Sequence, residues 1–295
     1  MAQGESARPR GGGPGSGESA LSLNDTLSAA AVAVLSAPEP GRKIVLSHAI
    51  ARAWRRGGIA EIDCARPPDR PARPERPLLL PPREMPKRRA GGERESRVAL
   101  LHALAHIELN AIDLAWDLIA RFTGENPPRE FFDDWIVVAD EEARHHGLLA
   151  ERLAALGAAY GDLPAHDGLW EAAAATAEDF LARLAVVPLV LEARGLDVTP
   201  AIIGRLERAG DVESAAVLRR IYDDEIAHVA AGRRWFDWAC ARHGLSPVET
   251  YHDRVRRYFK GALKPPFNDA ARERAGLSAA FYAPLACQPR KSAAE

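Results

Sequence analysis

A short pattern, Glu-x-x-His, occurs twice on predicted helices and constrains the fold more than any other feature of the sequence. Its first copy is formed by Glu142 and His145. Residues three apart project from the same side of an α-helix. Apolar residues at steps of three and four continue this stripe, so the pair is predicted to face a hydrophobic interior. A carboxylate buried there needs a partner or a bound cation, and a metal ion is the first candidate.

The rest of the chain repeats the pattern at a matching distance. Glu225 and His228 form the second copy, and Glu108 and Glu192 interrupt the apolar stripes of two other predicted helices. Glu142 follows Glu108 by 34 residues, and Glu225 follows Glu192 by 33. Two helical hairpins of this size would bring all of these residues to one height in a four-helix bundle. One Glu from each of two helices, with Glu-x-x-His from the other two, is the ligand pattern of ferritin-like dinuclear metal proteins.

The sequence therefore predicts a dinuclear metal site. Four carboxylates would neutralise two divalent ions, and two imidazoles would complete an oxygen-rich donor set that suits Fe or Mn. A single Glu-x-x-His would be weak evidence, since most such pairs are solvated or ion-paired. Two copies with matched spacing favour two Fe ions, with Mn as an alternative. The predicted ligands are Glu108, Glu142, His145, Glu192, Glu225 and His228, and the four glutamates are also the predicted catalytic residues.

Polar residues near these positions are expected to be solvated or to support the ligands. A metal-bound histidine usually donates its other N–H to a carboxylate or a carbonyl. Candidates for orienting ligands are Asp113, Arg144, Arg194 and Asp197. The acidic residues on adjacent helix faces, solvated or orienting, are Asp140, Glu141, Asp223 and Asp224. Three histidines, expected at the edge of the core or beside the ligands rather than as ligands, are His102, His106 and His146.

Composition excludes several classes of protein. The net charge of -2 disfavours nucleic-acid or membrane binding driven by overall charge. The three cysteines have no CxxC spacing, which argues against a disulfide framework or a thiolate zinc site and fits a cytoplasmic location. No run approaches the roughly 18 consecutive apolar residues of a transmembrane helix, and no secretory signal is recognised.

Four regions are predicted along the chain. A disordered tail covers 1–19, and N-terminal helices with a Pro/Arg-rich arm cover 20–93. A four-helix bundle covers 94–245, and a C-terminal packing segment with a loose end covers 246–295. Eight prolines between residues 67 and 86 exclude a helix there and predict an extended arm lying over the bundle.

The region from Arg42 to Arg97 is basic. It contains 15 Lys and Arg against 7 Asp and Glu. These basic residues could pair with acidic helix faces of the same molecule, or bind RNA or another phosphate-bearing partner. The first interpretation is favoured, because the aromatic residues typical of RNA-binding surfaces are missing between the basic ones.

Six stretches of the sequence resemble a bacterial ferritin-like family known as domain of unknown function 455, as does the Pro/Arg-rich arm at 67–89. The resemblance covers about residues 20–285. It implies an all-α, ferritin-like four-helix bundle of two antiparallel helical hairpins joined by a crossover, with a di-iron centre. The matching stretches are LLHALAHIELNAID (100–113), VADEEARH (138–145), YGDLPAH (160–166), LEARGLDVTP (191–200), IYDDEIAH (221–228) and LKPPFN (263–268).

Three functions are considered. The leading hypothesis is a di-iron oxidoreductase that uses O₂ and a separate reductase to oxidise or hydroxylate an unidentified small molecule or modified nucleoside. By analogy of the ligand pattern alone, it is similar to the di-iron tRNA hydroxylase of prenylated adenosine. The first alternative is a ferroxidase or iron-handling protein with the same ligands. The second is a metal-stabilised RNA-binding protein, motivated by the basic region.

Overall fold

The computed structural model describes residues 26–85 and 94–286, which form α-helices joined by turns and extended segments. The predicted tail at 1–19, the end of the proline-rich arm and the terminal residues from Gln288 lie outside these ranges. No β-strand occurs in the described ranges, which confirms the all-α prediction. The helices are α1 (Leu27–Ser36), α2 (Pro40–Arg55), α3 (Arg94–Arg121), α4 (Arg129–Ala155), α5 (Gly168–Ala175), α6 (Phe180–Val186), α7 (Ala193–Arg208), α8 (Val212–Arg242), α9 (Pro247–Tyr258), α10 (Asp269–Arg274) and α11 (Ala279–Tyr282).

Two helical hairpins form the centre of the molecule. The turn at 122–128 joins α3 to α4, and the turn at 209–211 joins α7 to α8. The helices of each hairpin pack against each other, and α4 also packs against α8. The connection between the hairpins contains α5 and α6. A helical bundle built from two hairpins and a crossover therefore forms, as predicted.

The N-terminal helices and the arm cover the first hairpin. α1 packs on α3, and α2 packs on α4. Between residues 57 and 81 the chain contains no helix, as its prolines predict. The amide of Ala72 donates to the carbonyl of Leu35 at 2.7 Å, and Arg121 donates to the carbonyl of Pro68 at 3.0 Å. These bonds hold the arm over the bundle.

The sequence predicts a third long helix that begins near Leu169 and is kinked or broken by Pro188, Gly195 and Pro200. The structure differs from this prediction. The expected beginning near Leu169 is a separate short helix, α5, and the long helix begins at Phe180. It continues through α6, a π-helical turn at Val187–Glu192 and α7, with no break at Gly195 or Pro200. Pro188 has no amide hydrogen to donate to the carbonyl of Leu184. The helix widens into the π turn at this proline.

The C-terminal segment supplies hydrogen bonds that this irregular helix lacks. Pro200 cannot donate to the carbonyl of Leu196. The side-chain amide of Asn268 donates to that carbonyl instead, at 3.1 Å. At Pro200 a donor from a residue far away in the sequence therefore replaces the missing backbone amide. Two further side chains of the C-terminal segment donate to carbonyls of this helix: Tyr251 Oη to Leu189 O at 3.2 Å and Arg272 Nη2 to Ala193 O at 3.3 Å.

Within the described ranges, α3 is long and apolar enough to cross a membrane by length and composition, although it contains no uninterrupted apolar run. Its most apolar window has a mean hydropathy of 1.4, and 72% of that window is buried inside the protein. The buried residues of α3 include the carboxylates of Glu108, Asp113 and Asp117. Internal packing therefore accounts for the apolar character of α3.

Candidate metal centre

Side chains from α3, α4 and α8 converge on one buried point. Each of four residues offers a ligand atom there, and these atoms lie within 4.8 Å of one another. None of the four residues is more than 9% exposed. This group could hold a metal ion. Its members are Glu108, Glu142, His145 and Glu225.

Glu142 lies between the two histidines of the repeated pattern. Its Oε2 is 3.4 Å from Nδ1 of His145, and its Oε1 is 2.9 Å from Nδ1 of His228. His145 Nδ1 is also 3.7 Å from Glu108, and His228 Nδ1 is 3.7 Å from Glu225. His228 therefore belongs to the same cluster. One carboxylate faces both imidazoles, so Glu142 lies between the histidines of the two copies of the pattern.

The outer nitrogen of each histidine is held by a carboxylate from the opposite helix. Nε2 of His145 donates to Asp224 at 3.1 Å, and Nε2 of His228 donates to Glu141 at 2.9 Å. Arg144 links these two carboxylates, with contacts of 3.2 Å to Glu141 and 2.9 Å to Asp224. Such outer hydrogen bonds fix the ring orientation and direct Nδ1 towards the centre of the cluster.

From the sequence, Glu141 and Asp224 are expected to be either solvated or orienting residues. A signal for their role exists in the sequence, because the repeat is longer than Glu-x-x-His. An Asp and a second acidic residue precede the ligand glutamate in both copies, at 140–145 and at 223–228. In each copy the acidic residue just before the ligand glutamate contacts the histidine of the other copy.

Glu192 reaches the cluster from the π turn. The residue is partly exposed, but its Oε2 is buried and has no hydrogen-bond partner in the described part of the chain. Burial, followed by repulsion from Glu225 and Glu142, holds the pKa of Glu192 well above its usual range. Glu192 is therefore a neighbour of the other glutamates, although it lies outside the closest group of four.

A glycine on α8 lets the π turn approach the bundle. A Cβ atom added at Gly232 would lie within 2.6 Å of Cγ of Pro188, and closer still to its Cβ. The neighbouring α8 therefore leaves room for the turn at the point where Pro188 disrupts the helix. Gly232 follows His228 by four residues on α8, so the close contact lies one helical turn from the cluster.

The cluster contains an unusual number of unsatisfied polar atoms. Five buried atoms have no hydrogen-bond partner among the described residues, and each such atom ordinarily costs about 1–3 kcal/mol. Glu142 Oε1 and His228 Nδ1 are close together but not aligned for a hydrogen bond. A cation bound at the cluster would give a partner to the atoms of Glu108, Glu142 and Glu225, which belong to the closest group. The five atoms are Oε2 of Glu108, Oε1 of Glu142, Oε2 of Glu192, Oε2 of Glu225 and Nδ1 of His228.

Electrostatics at the cluster also favour added positive charge. Burial and repulsion from Glu142 hold the pKa of Glu108 well above its usual range. Burial alone would lower the pKa of His145, but its contacts with Asp224, Glu108 and Glu142 prevail and raise it to about 11. Oxygen and imidazole donors without a thiolate suit iron or manganese. The residues present therefore fit divalent metal ions.

Asp113, Arg194 and Asp197, considered as orienting residues, do not contact the ligands. Asp113 forms an ion pair with Lys43 at 2.6 Å. Asp197 pairs with Arg272 at 2.8 Å, and Arg194 donates to the carbonyl of Lys264 at 2.7 Å, so both residues anchor the C-terminal segment to α7. Arg144 is the one candidate of this set whose orienting contacts appear, through Glu141 and Asp224.

The three histidines that were predicted to lie at the edge of the core surround Tyr160 in the loop after α4. The rings of His102 and His106 stack on Tyr160, and the ring of His146 meets it edge-on. Nε2 of His106 donates to the carbonyl of His166, so its Nδ1 accepts from the Tyr160 hydroxyl at 2.8 Å. These histidines hold the loop against α3 and α4, as expected for residues at the edge of the core.

Comparison with known proteins gives a family but no activity. A family model described as "Protein of unknown function (DUF455)" matches residues 36–283, a range that includes all six predicted ligands. An uncharacterized protein of Haemophilus influenzae is 42% identical over 211 residues, which cover 70% of this chain and 73% of that relative. No solved structure gives a significant match to the chain.

Proposed function

Since the chain belongs to the DUF455 family of unknown function, we propose that it is a dinuclear iron enzyme that uses O₂ to oxidise an organic substrate. One observation carries the proposal. Three glutamates and two histidines meet in the interior, and five buried polar atoms of these residues and of Glu192 have no partner in the described chain. Helices that need only a stable core do not bury such a group, because each unpaired charge is costly.

Each residue of the cluster has a separate task in this proposal. His145 contacts Glu108 and Glu142, and His228 contacts Glu142 and Glu225. The two histidines present Nδ1 to the ions because their Nε2–H groups are held by carboxylates. Glu192 supplies the remaining carboxylate. Two bound iron ions would bind and reduce O₂. A separate reductase would deliver the electrons.

Metal content and oxygen uptake test the proposal. Protein loaded anaerobically with Fe(II) is expected to retain two iron ions per chain and to consume O₂ when it is exposed to air. Glu142→Gln should abolish both properties, because it removes the carboxylate that faces both histidines. Glu151→Gln is the matched control, since Glu151 is an exposed carboxylate on the same helix.

The fate of the iron separates an oxidase from a ferroxidase. An enzyme is expected to keep its oxidised iron and to react again after chemical reduction. Release of ferric iron, or growth of a mineral core, would favour the iron-handling alternative. Failure of the wild-type protein to retain iron or manganese after loading would refute the dinuclear site itself.

A further inference from the structure

A cavity lies between the irregular third helix and the C-terminal segment. Its volume is about 310 Å³, at the lower end of the range for small-molecule sites. Val190 and Leu191 of the π turn form part of one wall, and Phe259 and Phe267 of the C-terminal segment form part of another. None of the six predicted metal ligands lines it. The cavity is therefore a site apart from the carboxylate–histidine cluster.

The lining of this cavity carries a surplus of positive charge. Its four cationic side chains face a single carboxylate, Asp197, which gives a net charge of +3. Asp197 is already paired with two of the cations, at 2.8 Å from Arg272 and 3.3 Å from Arg194. It cannot neutralise the other two. The four cations are Arg194, Lys260, Lys264 and Arg272.

Lys260 and Lys264 are the unpaired members of the lining. Both are exposed, and neither forms an ion pair with a residue in the described ranges. The two arginines of the lining differ, since both pair with Asp197. The amides of residues 260–262, next to the lysines, also make no hydrogen bond to a described residue. Ammonium groups and free amides in one short segment are suited to an anion.

We propose that this cavity binds a small organic phosphate. The phosphate group would lie at Lys260 and Lys264, and a planar or apolar body would pack against Phe259, Phe267 and the π turn. A phosphate monoester carries a charge of about -1.5 to -2 near neutral pH, which matches the surplus of the lining better than one carboxylate does. The site does not depend on the metal cluster, so the proposal holds whether or not iron is bound.

Binding of AMP, adenosine and inorganic phosphate tests the proposal by calorimetry on the full chain. AMP is expected to bind more tightly than adenosine, which lacks the charge, and more tightly than inorganic phosphate, which lacks the ring. Lys260→Gln combined with Lys264→Gln should weaken AMP binding about tenfold or more. Because both lysines are exposed and unpaired, the double variant should keep the wild-type melting temperature.

A second double variant separates this cavity from general surface charge. Arg256→Gln with Arg257→Gln removes the same charge from exposed positions of α9 that do not line the cavity. AMP affinity should stay within about twofold of wild type, and it should also persist in Glu142→Gln. Three results would each overturn the proposal: no binding of AMP at millimolar concentration, equal affinity for adenosine, or equal losses in the two double variants.

Discussion

Two groups of buried carboxylates share helix α3 and differ in their source of positive charge. Asp113 contacts Lys43 at 2.6 Å and Arg73 at 2.9 Å. Asp117 pairs in the same way with two basic side chains, Arg121 and Arg183. Each of these aspartates thus has two cations from the chain itself. Among the described residues, the carboxylate of Glu108, five residues before Asp113, has polar contacts only with the carboxylate–histidine cluster.

The dominant charges around the two carboxylates therefore act on their pKa values in opposite directions. Burial raises the pKa of Asp113, but the attraction of Arg73 and Lys43 opposes this rise. Burial also raises the pKa of Glu108, and there the repulsion of Glu142 adds to the rise. The aspartates stabilise the fold through internal ion pairs. The glutamates have the two histidines beside them and no Lys or Arg partner among the described residues, and their group is the one that could hold a metal ion.

The largest effect on folding is expected from Asp113→Asn. The substitution leaves Lys43 buried without its partner carboxylate, and breaking a buried pair in this way costs about 3–5 kcal/mol. Chemical denaturation of metal-free protein measures the loss. Iron content of the folded fraction should remain at the wild-type value. A fall in iron content with unchanged stability would instead place Asp113 at the metal centre, as the sequence analysis considered.

The next largest effect on stability is expected from a substitution that disturbs the π turn carrying Glu192. Gly232→Ala places a methyl group against Pro188, and overpacking of this kind costs about 1–3 kcal/mol. The turn must move to relieve the clash, so iron binding should weaken together with stability. Thermal melting and iron titration measure the two effects. Gly147→Ala is the control, since a Cβ at Gly147 on α4 would meet no atom within 4 Å; an equal effect there would contradict the explanation.

Spacing along the chain predicted the two hairpins and the four residues of the closest group, because helical periodicity is a local property. The partners of Asp113 could not be found in this way. Lys43 lies 70 residues before it, and Arg73 belongs to an arm without periodic structure. The π turn was also missed. Pro188 suggested a kink, but the space for a widened turn is provided by Gly232 on another helix.

A smaller effect, confined to metal affinity, is expected from Asp224→Asn. This carboxylate accepts the hydrogen bond from Nε2 of His145 without joining the closest group of ligands. Loss of such an outer partner typically lowers metal affinity by about 10- to 100-fold. Competition with a chelator measures the change. Asp223→Asn is the matched control, because Asp223 is exposed and adjacent in sequence; comparable losses in the two variants would show that overall charge, rather than the orientation of His145, controls binding.

The smallest effect is expected from Asp140→Asn, although Asp140 begins the same acidic triplet as Glu141 and Glu142. Asp140 pairs at the surface with Arg55 at 3.1 Å and His48 at 2.6 Å. Exposed pairs of this kind contribute about 0–1 kcal/mol, so stability and iron affinity should both stay near wild type. A marked loss of iron affinity would mean that all three carboxylates act on the metal centre. The expected result would show that three adjacent acids have separate roles, because the helix directs one to the surface, one to His228 and one to the centre of the cluster.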